Sequence, residues 1–162
     1  MQTREPRSTE TDARRTGERI ERELMILTRQ REMTAPHRLA CVDGLDRSAY
    51  VLLSRIEVQG PMSVTDLVDA FGLAPSTLTR QTAALLKDGL VERTLDPDGG
   101  IARKFRMTRK GREMLRANRE VVVDGIARVV AGWTPERLDG FIADLRQFNQ
   151  DIEQITGRPW PR

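Results

Sequence analysis

The side chains able to do chemistry are few. His37 is the sole histidine and Cys41, four positions on, the sole cysteine. A zinc site wants three or four such ligands, so this pair lacks partners, and neither metal nor cofactor is expected. His37 stands beside no nucleophile motif, and Gly99-Gly100 reads as a hairpin turn, not a loop that cradles phosphates. Enzymatic chemistry is therefore not expected. Two capabilities remain: thiol reactivity at Cys41, which His37 and Arg38 could assist by lowering its pKa, and recognition of negative charge by arginine and lysine.

The placement of charge favours the second. Net charge is only +3, but residues 60–112 carry nine basic and six acidic side chains, while 1–59 and 113–162 are each within one charge of neutral. Arg103, Lys104, Arg106, Arg109, Lys110 and Arg112 form a run without an acid. Solvated faces usually mix signs, so a one-sign run points to a polyanionic partner. An aromatic content of 4% is low for proteins that stack single-stranded bases on rings.

The frame that must position these groups is about one domain, or one domain plus an appendage, since 162 residues bury a core without staples. A lone cysteine forms no internal disulfide, so a reducing cytoplasm is the default. The longest apolar stretches, such as 121–123, are far short of a bilayer span, and no apolar leader core follows Met1.

Residues 1–15 are polar and read as a disordered arm. From Arg14 to about Met33, Ile20, Leu24 and Leu27 recur at helical spacing. Pro36 and Gly44 interrupt the chain before Asp46, an N-cap for a second helix burying Ala49, Leu52, Leu53 and Ile56 and ending at Gly60-Pro61. Ser63 and Asp66 make a capping-box pattern for a short third helix that stops at Gly72.

The fourth helix carries the argument. Pro75 suits a first helical position, where its missing N–H is not needed, and the helix runs to Lys87. At about 100° per residue, Leu78, Thr82, Leu85 and Leu86 fall on one side, and Ser76, Thr77, Arg80, Ala83, Ala84 and Lys87 on the other. The outer face is small, hydroxylated and positive, with no carboxylate before Asp88. Such a face fits a groove lined with phosphates and base edges.

Residues 90–95 and 101–107 alternate like strands around the turn at 96–100, making a hairpin. Thr108 is placed to cap a long fifth helix with Leu115, Val122, Ile126, Val129 and Trp133 along one side, and Thr134-Pro135 starts a sixth. There Leu138, Phe141, Leu145, Phe148, Ile152 and Ile155 keep a three-four repeat, a seam made for another helix. A small wing domain cannot bury these stripes together with that of the first helix, so a homodimer is expected.

From about Arg14 to Ile155 this order of elements resembles the MarR family of transcriptional regulators, which are winged helix-turn-helix dimers. The stretch GPMSVTDLVDAFGLAPSTLTRQTAALLKDGLVER resembles the family's paired third and fourth helices and first wing strand, and RMTRKG resembles its LTxxG lead into the fifth helix. The resemblance sets Ser76, Thr77, Thr79 and Arg80 at the start of the recognition helix, where hydroxyls would bond phosphates or base edges and Arg80 would fork onto a guanine or a phosphate. Lys87 lies further along the same outer face. The family's wing-tip Asp-x-Arg has no counterpart, since Gly99-Gly100-Ile101 or Asp98-Gly99-Gly100 stands there. Arg103 and Lys104 are expected to take phosphate contacts instead, with a weaker preference for narrow, A·T-rich flanks.

Members of the family also respond to aromatic carboxylates and related molecules, or to oxidants through a cysteine. The resemblance makes His37, Arg47 and Tyr50 the polar candidates for a pocket between the first and second helices. In oxidant-sensing relatives the cysteine lies early in the first helix, whereas Cys41 precedes the second, so a buried or incidental thiol is expected.

The expectation is a mainly α fold with a small β-hairpin wing: an arm at 1–15, a dimerisation helix and connection at 16–45, a winged helix-turn-helix DNA-binding domain at 46–108, C-terminal dimerisation helices at 109–156 and a tail at 157–162. The function expected is that of a cytoplasmic homodimeric repressor that binds a palindromic operator in double-stranded DNA, away from membranes, and is released by a small aromatic or phenolic effector. The alternatives are a winged-helix protein-interaction module without specific DNA binding and a redox-sensing regulator acting through Cys41.

Overall fold

The computed structural model describes residues 6–29, 45–95 and 103–162. His37, Cys41 and the expected hairpin tip lie outside them. The elements are α1 (Pro6–Arg29), α2 (Arg47–Gln59), α3 (Val64–Phe71), α4 (Pro75–Lys87), β1 (Val91–Thr94), β2 (Lys104–Met107), α5 (Arg109–Val129) and α6 (Pro135–Thr156). Helix α1 starts at Pro6, so the arm expected over 1–15 is helical along much of its length. Proline at a helix start loses no hydrogen bond, and neither glycine nor a second proline follows before Gly17.

Local chemistry sets the remaining boundaries. Asp46 accepts from the Ala49 N–H at 2.7 Å and starts α2. Ser63 and Asp66 exchange hydrogen bonds of 3.1 and 2.8 Å, a closed capping box on α3. Gly72, at φ 64, stops α3 in the left-handed region and turns the chain toward α4. Strands β1 and β2 pair antiparallel, with Val91 opposite Met107 and Thr94 opposite Lys104. On the other edge of β2, Met62 adds a rung of its own, exchanging backbone hydrogen bonds of 3.1 and 2.7 Å with Phe105.

The core lies where these pieces meet. Leu53 and Ile56 of α2, Leu67 of α3, Leu78 and Leu85 of α4, and Leu115 of α5 are buried together with Met62 and the hairpin's Val91 and Phe105. Asn118 is buried among them without an ionic partner. Its carbonyl oxygen accepts from the Leu45 N–H at 3.1 Å and its amide donates to the Met114 carbonyl at 2.8 Å. This joins the start of α2 to α5. At Gly111 a Cβ would run into the Leu90 carbonyl, so α5 rests directly on the root of the hairpin.

Outside this unit burial ends. No residue of α6 is buried. Ile20 and Leu24 of α1, Ile126 of α5, and Phe141 and Leu145 of α6 are exposed apolar side chains. A groove of about 520 Å³ between α1 and α6 is lined by Ile20, Leu24, Met25 and Phe148. The arrangement is a winged helix-turn-helix with long helical arms. No helix among the described residues is long and apolar enough to cross a membrane.

Candidate nucleic-acid interface

Helix α4 keeps Leu78, Thr82 and Leu85 in the core and presents Ser76, Thr79, Arg80, Ala83, Ala84 and Lys87 to solvent, with Thr77 half-buried. Thr82 turns its hydroxyl inward, donating to the Leu78 carbonyl at 2.8 Å and lying 3.1 Å from that of Thr79. The outer hydroxyls are those of Ser76 and Thr79. No acid interrupts α4, and among the described residues neither Arg80 nor Lys87 forms an ion pair. A helix face with uncompensated positive charge and short polar side chains is suited to the edge of a nucleic-acid groove.

The basic run beyond the hairpin turn is less open than its composition suggests. Arg106 binds Glu92 across the strands, and Arg109 binds Glu113 one helical turn along at 2.9 Å. The Lys110 ammonium donates to the Asp88 carbonyl at 2.7 Å, and Arg112 donates to the Met107 carbonyl at 3.0 Å. At least four of the six cations therefore serve the fold. Arg103 is exposed and Lys104 half-buried. Arg93 is an exposed cation on β1 that sequence reasoning passed over. Strand alternation gave no warning of it: Arg93 shares its parity with buried Val91 and stands opposite buried Phe105, yet it is exposed.

Comparison with known proteins bears on the same segment. Residues 45–99 match the model of the MarR family. Over 107 residues the chain is 32% identical to YxaD, an uncharacterized HTH-type transcriptional regulator of Bacillus subtilis (strain 168), spanning 66% of this chain and 75% of that one. The chain belongs to the MarR family of transcriptional regulators. Two solved structures share the fold. A MarR family protein from Bacillus stearothermophilus aligns with a TM-score of 0.69 at 23% identity, covering 86% of this chain and 96% of that one. Wild-type MarR from E. coli aligns with a TM-score of 0.63 at 17% identity, covering 79% and 95%.

In this MarR family chain the candidate effector residues separate. Tyr50 is half-buried and, with Glu57, faces Arg119 of α5. The Arg119 guanidinium donates to Glu57 at 2.6 Å, and that bond, followed by one to Tyr50, holds it above the ordinary arginine range against the opposing effect of burial. Arg47 instead borders an apolar groove of about 450 Å³ with Val51, Phe71 and Leu73. A larger cleft of about 840 Å³ joins Asp46 and Ser48 of α2, Arg80 and Ala84 of α4, and Lys110 and Met114 of α5. It was not legible beforehand because its lining comes from three separate elements. No group of His, Cys, Asp and Glu among the described residues could hold a metal.

Proposed function

We propose that this MarR family regulator is a homodimeric repressor that binds a palindromic operator, one α4 helix per half-site, and is released by a small aromatic or phenolic molecule. The observation that carries DNA binding is the exposed, acid-free face of α4, with Arg80 and Lys87 in no ion pair among the described residues, Arg93 exposed on β1 and Arg103 exposed just before β2. Ser76, Thr77, Thr79, Arg80, Lys87, Arg103 and Lys104 are the proposed contacts. Two-fold assembly is supported by the apolar exposure of the arms, with Phe141 at 49% and Ile155 at 86%. A chain does not leave a three-four seam of this length in water when a second copy can cover it. Release by a ligand is supported by the 840 Å³ cleft, because its wall includes Arg80: an occupant there would touch the same side chain that meets DNA.

The test is binding of the full chain to genomic fragments over a salt series. Neutralising about 6 to 10 phosphates should cost orders of magnitude in affinity between low and moderate salt. Binding that is absent, or indifferent to salt, removes the proposal. An activity untouched by replacing both Arg80 and Lys87 with Ala would favour a protein-interaction module.

A further inference from the structure

The tail after α6 folds back onto the DNA-binding unit. Gly157, at φ 66, ends α6 in the left-handed region, and the Arg158 N–H donates to the Glu153 carbonyl at 3.2 Å. Arg55 Nη1 of α2 then donates to the Pro159 carbonyl at 2.9 Å. The same guanidinium lies 5.1 Å from the centre of the Trp160 ring, and that ring meets Phe71 edge to face at 6.2 Å. The Arg158 guanidinium fills the space where a Cβ on Gly72 would stand. Arg162 returns to α6 and holds both carboxylate oxygens of Glu153 at 2.7 and 2.9 Å.

Arg55 shows that this docking is built into the fold. It is 7% exposed, and a charge withdrawn from water needs partners. Its direct contacts are three, Gln59 at 2.9 Å, the Pro159 carbonyl and the Trp160 ring, and the charge of Glu153 on α6 also favours it. Two of the three belong to the tail. The place of contact also matters, since Phe71 ends α3 and Gly72 begins the turn that aims α4. On its other side the unit is held by α5, through Leu115 and Asn118. A body attached at one side can pivot, whereas one attached at two sides cannot.

We propose that Arg55 and Trp160 are positioning residues: they fasten α6 to the α2–α3 end of the DNA-binding unit, fixing the direction of α4 and, in the dimer, the separation of the two recognition helices. This rests on the DNA-binding reading above. It is tested in the full chain by three measurements: amide hydrogen exchange over residues 64–74 without DNA, sedimentation, and affinity for duplexes whose half-site separation is changed by one or two base pairs.

Trp160→Ala should speed exchange over 64–74 about tenfold and leave sedimentation unchanged. It should also reduce the preference for one half-site separation about tenfold, within the usual span of coupling between sites. Trp160→Phe, which keeps a ring against Phe71, should restore most of both. Arg55→Met, which keeps the apolar stem without the charge, should act in the same direction as Trp160→Ala. Unchanged exchange in both Trp160→Ala and Arg55→Met overturns the fastening, and faster exchange with unchanged separation preference overturns the positioning. If the unaltered protein binds no duplex at low salt, the DNA-binding reading falls and the positioning role with it. The exchange measurement separates that failure from failure of the fastening, because it needs no DNA.

Discussion

Glu92 and Arg106 face each other across the hairpin, in register, with one carboxylate oxygen accepting from Arg106 Nη2 at 2.7 Å and from Nε at 3.1 Å. The pair is about half exposed, so it adds little to stability, but it removes one positive charge from the surface beside the candidate DNA contacts. Glu92→Ala should therefore raise affinity for duplex DNA at low salt. The slope of log affinity against log salt should steepen by about one per subunit, with thermal unfolding changed by no more than about 1 kcal/mol. A salt titration of the variant beside the parent decides it.

Arg80 and Lys87 should separate in kind. Arg80→Ala should cost about 1–3 kcal/mol of specific binding and relax the preference for one base. Lys87→Ala should weaken all duplexes alike. Competition between operator and scrambled duplexes reads the difference, and two variants indistinguishable in that competition would disprove it.

The arms should govern assembly alone. Leu145→Glu places a charge in the exposed seam of α6, so sedimentation should show monomers while helix content and the unfolding of the DNA-binding unit persist. Operator affinity should fall by at least about a hundredfold as two-site attachment is lost.

Two glycines of α5 make opposite predictions. Gly111→Ala drives a methyl group into the Leu90 carbonyl and Met107, and should cost about 1–3 kcal/mol of stability by forcing the trunk helix off the hairpin. Gly125 has open space where a Cβ would go. Gly125→Ala should gain about 0.5–1 kcal/mol from helix propensity. Chemical denaturation of both variants tests the contrast.

Acid should release the tail late. The hydrogen bonds from Arg162 are the main cause holding the Glu153 carboxyl below its ordinary value, with the Trp160 backbone N–H and the charge of Arg55 adding to the effect against partial desolvation. A depressed carboxyl contributes stability that is full above its unfolded pKa and is lost as pH falls through the lower folded one. With Trp133→Phe leaving Trp160 as the sole tryptophan, its emission should hold steady as pH falls to the ordinary glutamate range and change only below it. Glu153→Gln should change the emission already at neutral pH.

What was legible in the sequence was what depends on neighbours. Asp46, the Ser63 and Asp66 pair, Thr108 and Thr134 all cap with partners three residues on, and all do so in the structure. The inner and outer faces of α4 follow from its period alone. What was hidden depends on distant partners: Asn118 reaches Leu45 across 73 positions and Arg55 reaches Pro159 across 104. The basic run misled for the same reason. Glu92 lies 14 residues from the arginine it neutralises, and the Asp88 carbonyl that takes Lys110 has no signature in a charge count. The early start of α1 was missed because polar composition speaks to burial and only weakly to helix formation.

The rung between Met62 and Phe105 bears on how the protein keeps its own company. A two-stranded ribbon projecting from a domain has two unpaired edges, each a template on which a strand from another molecule can grow. Met62 occupies the β2 edge at its root, and the β1 edge carries the charges of Glu92 and Arg93. The two strands are thereby defended against adding strands from neighbouring molecules, so they can stand in the open without seeding aggregates of the protein that bears them.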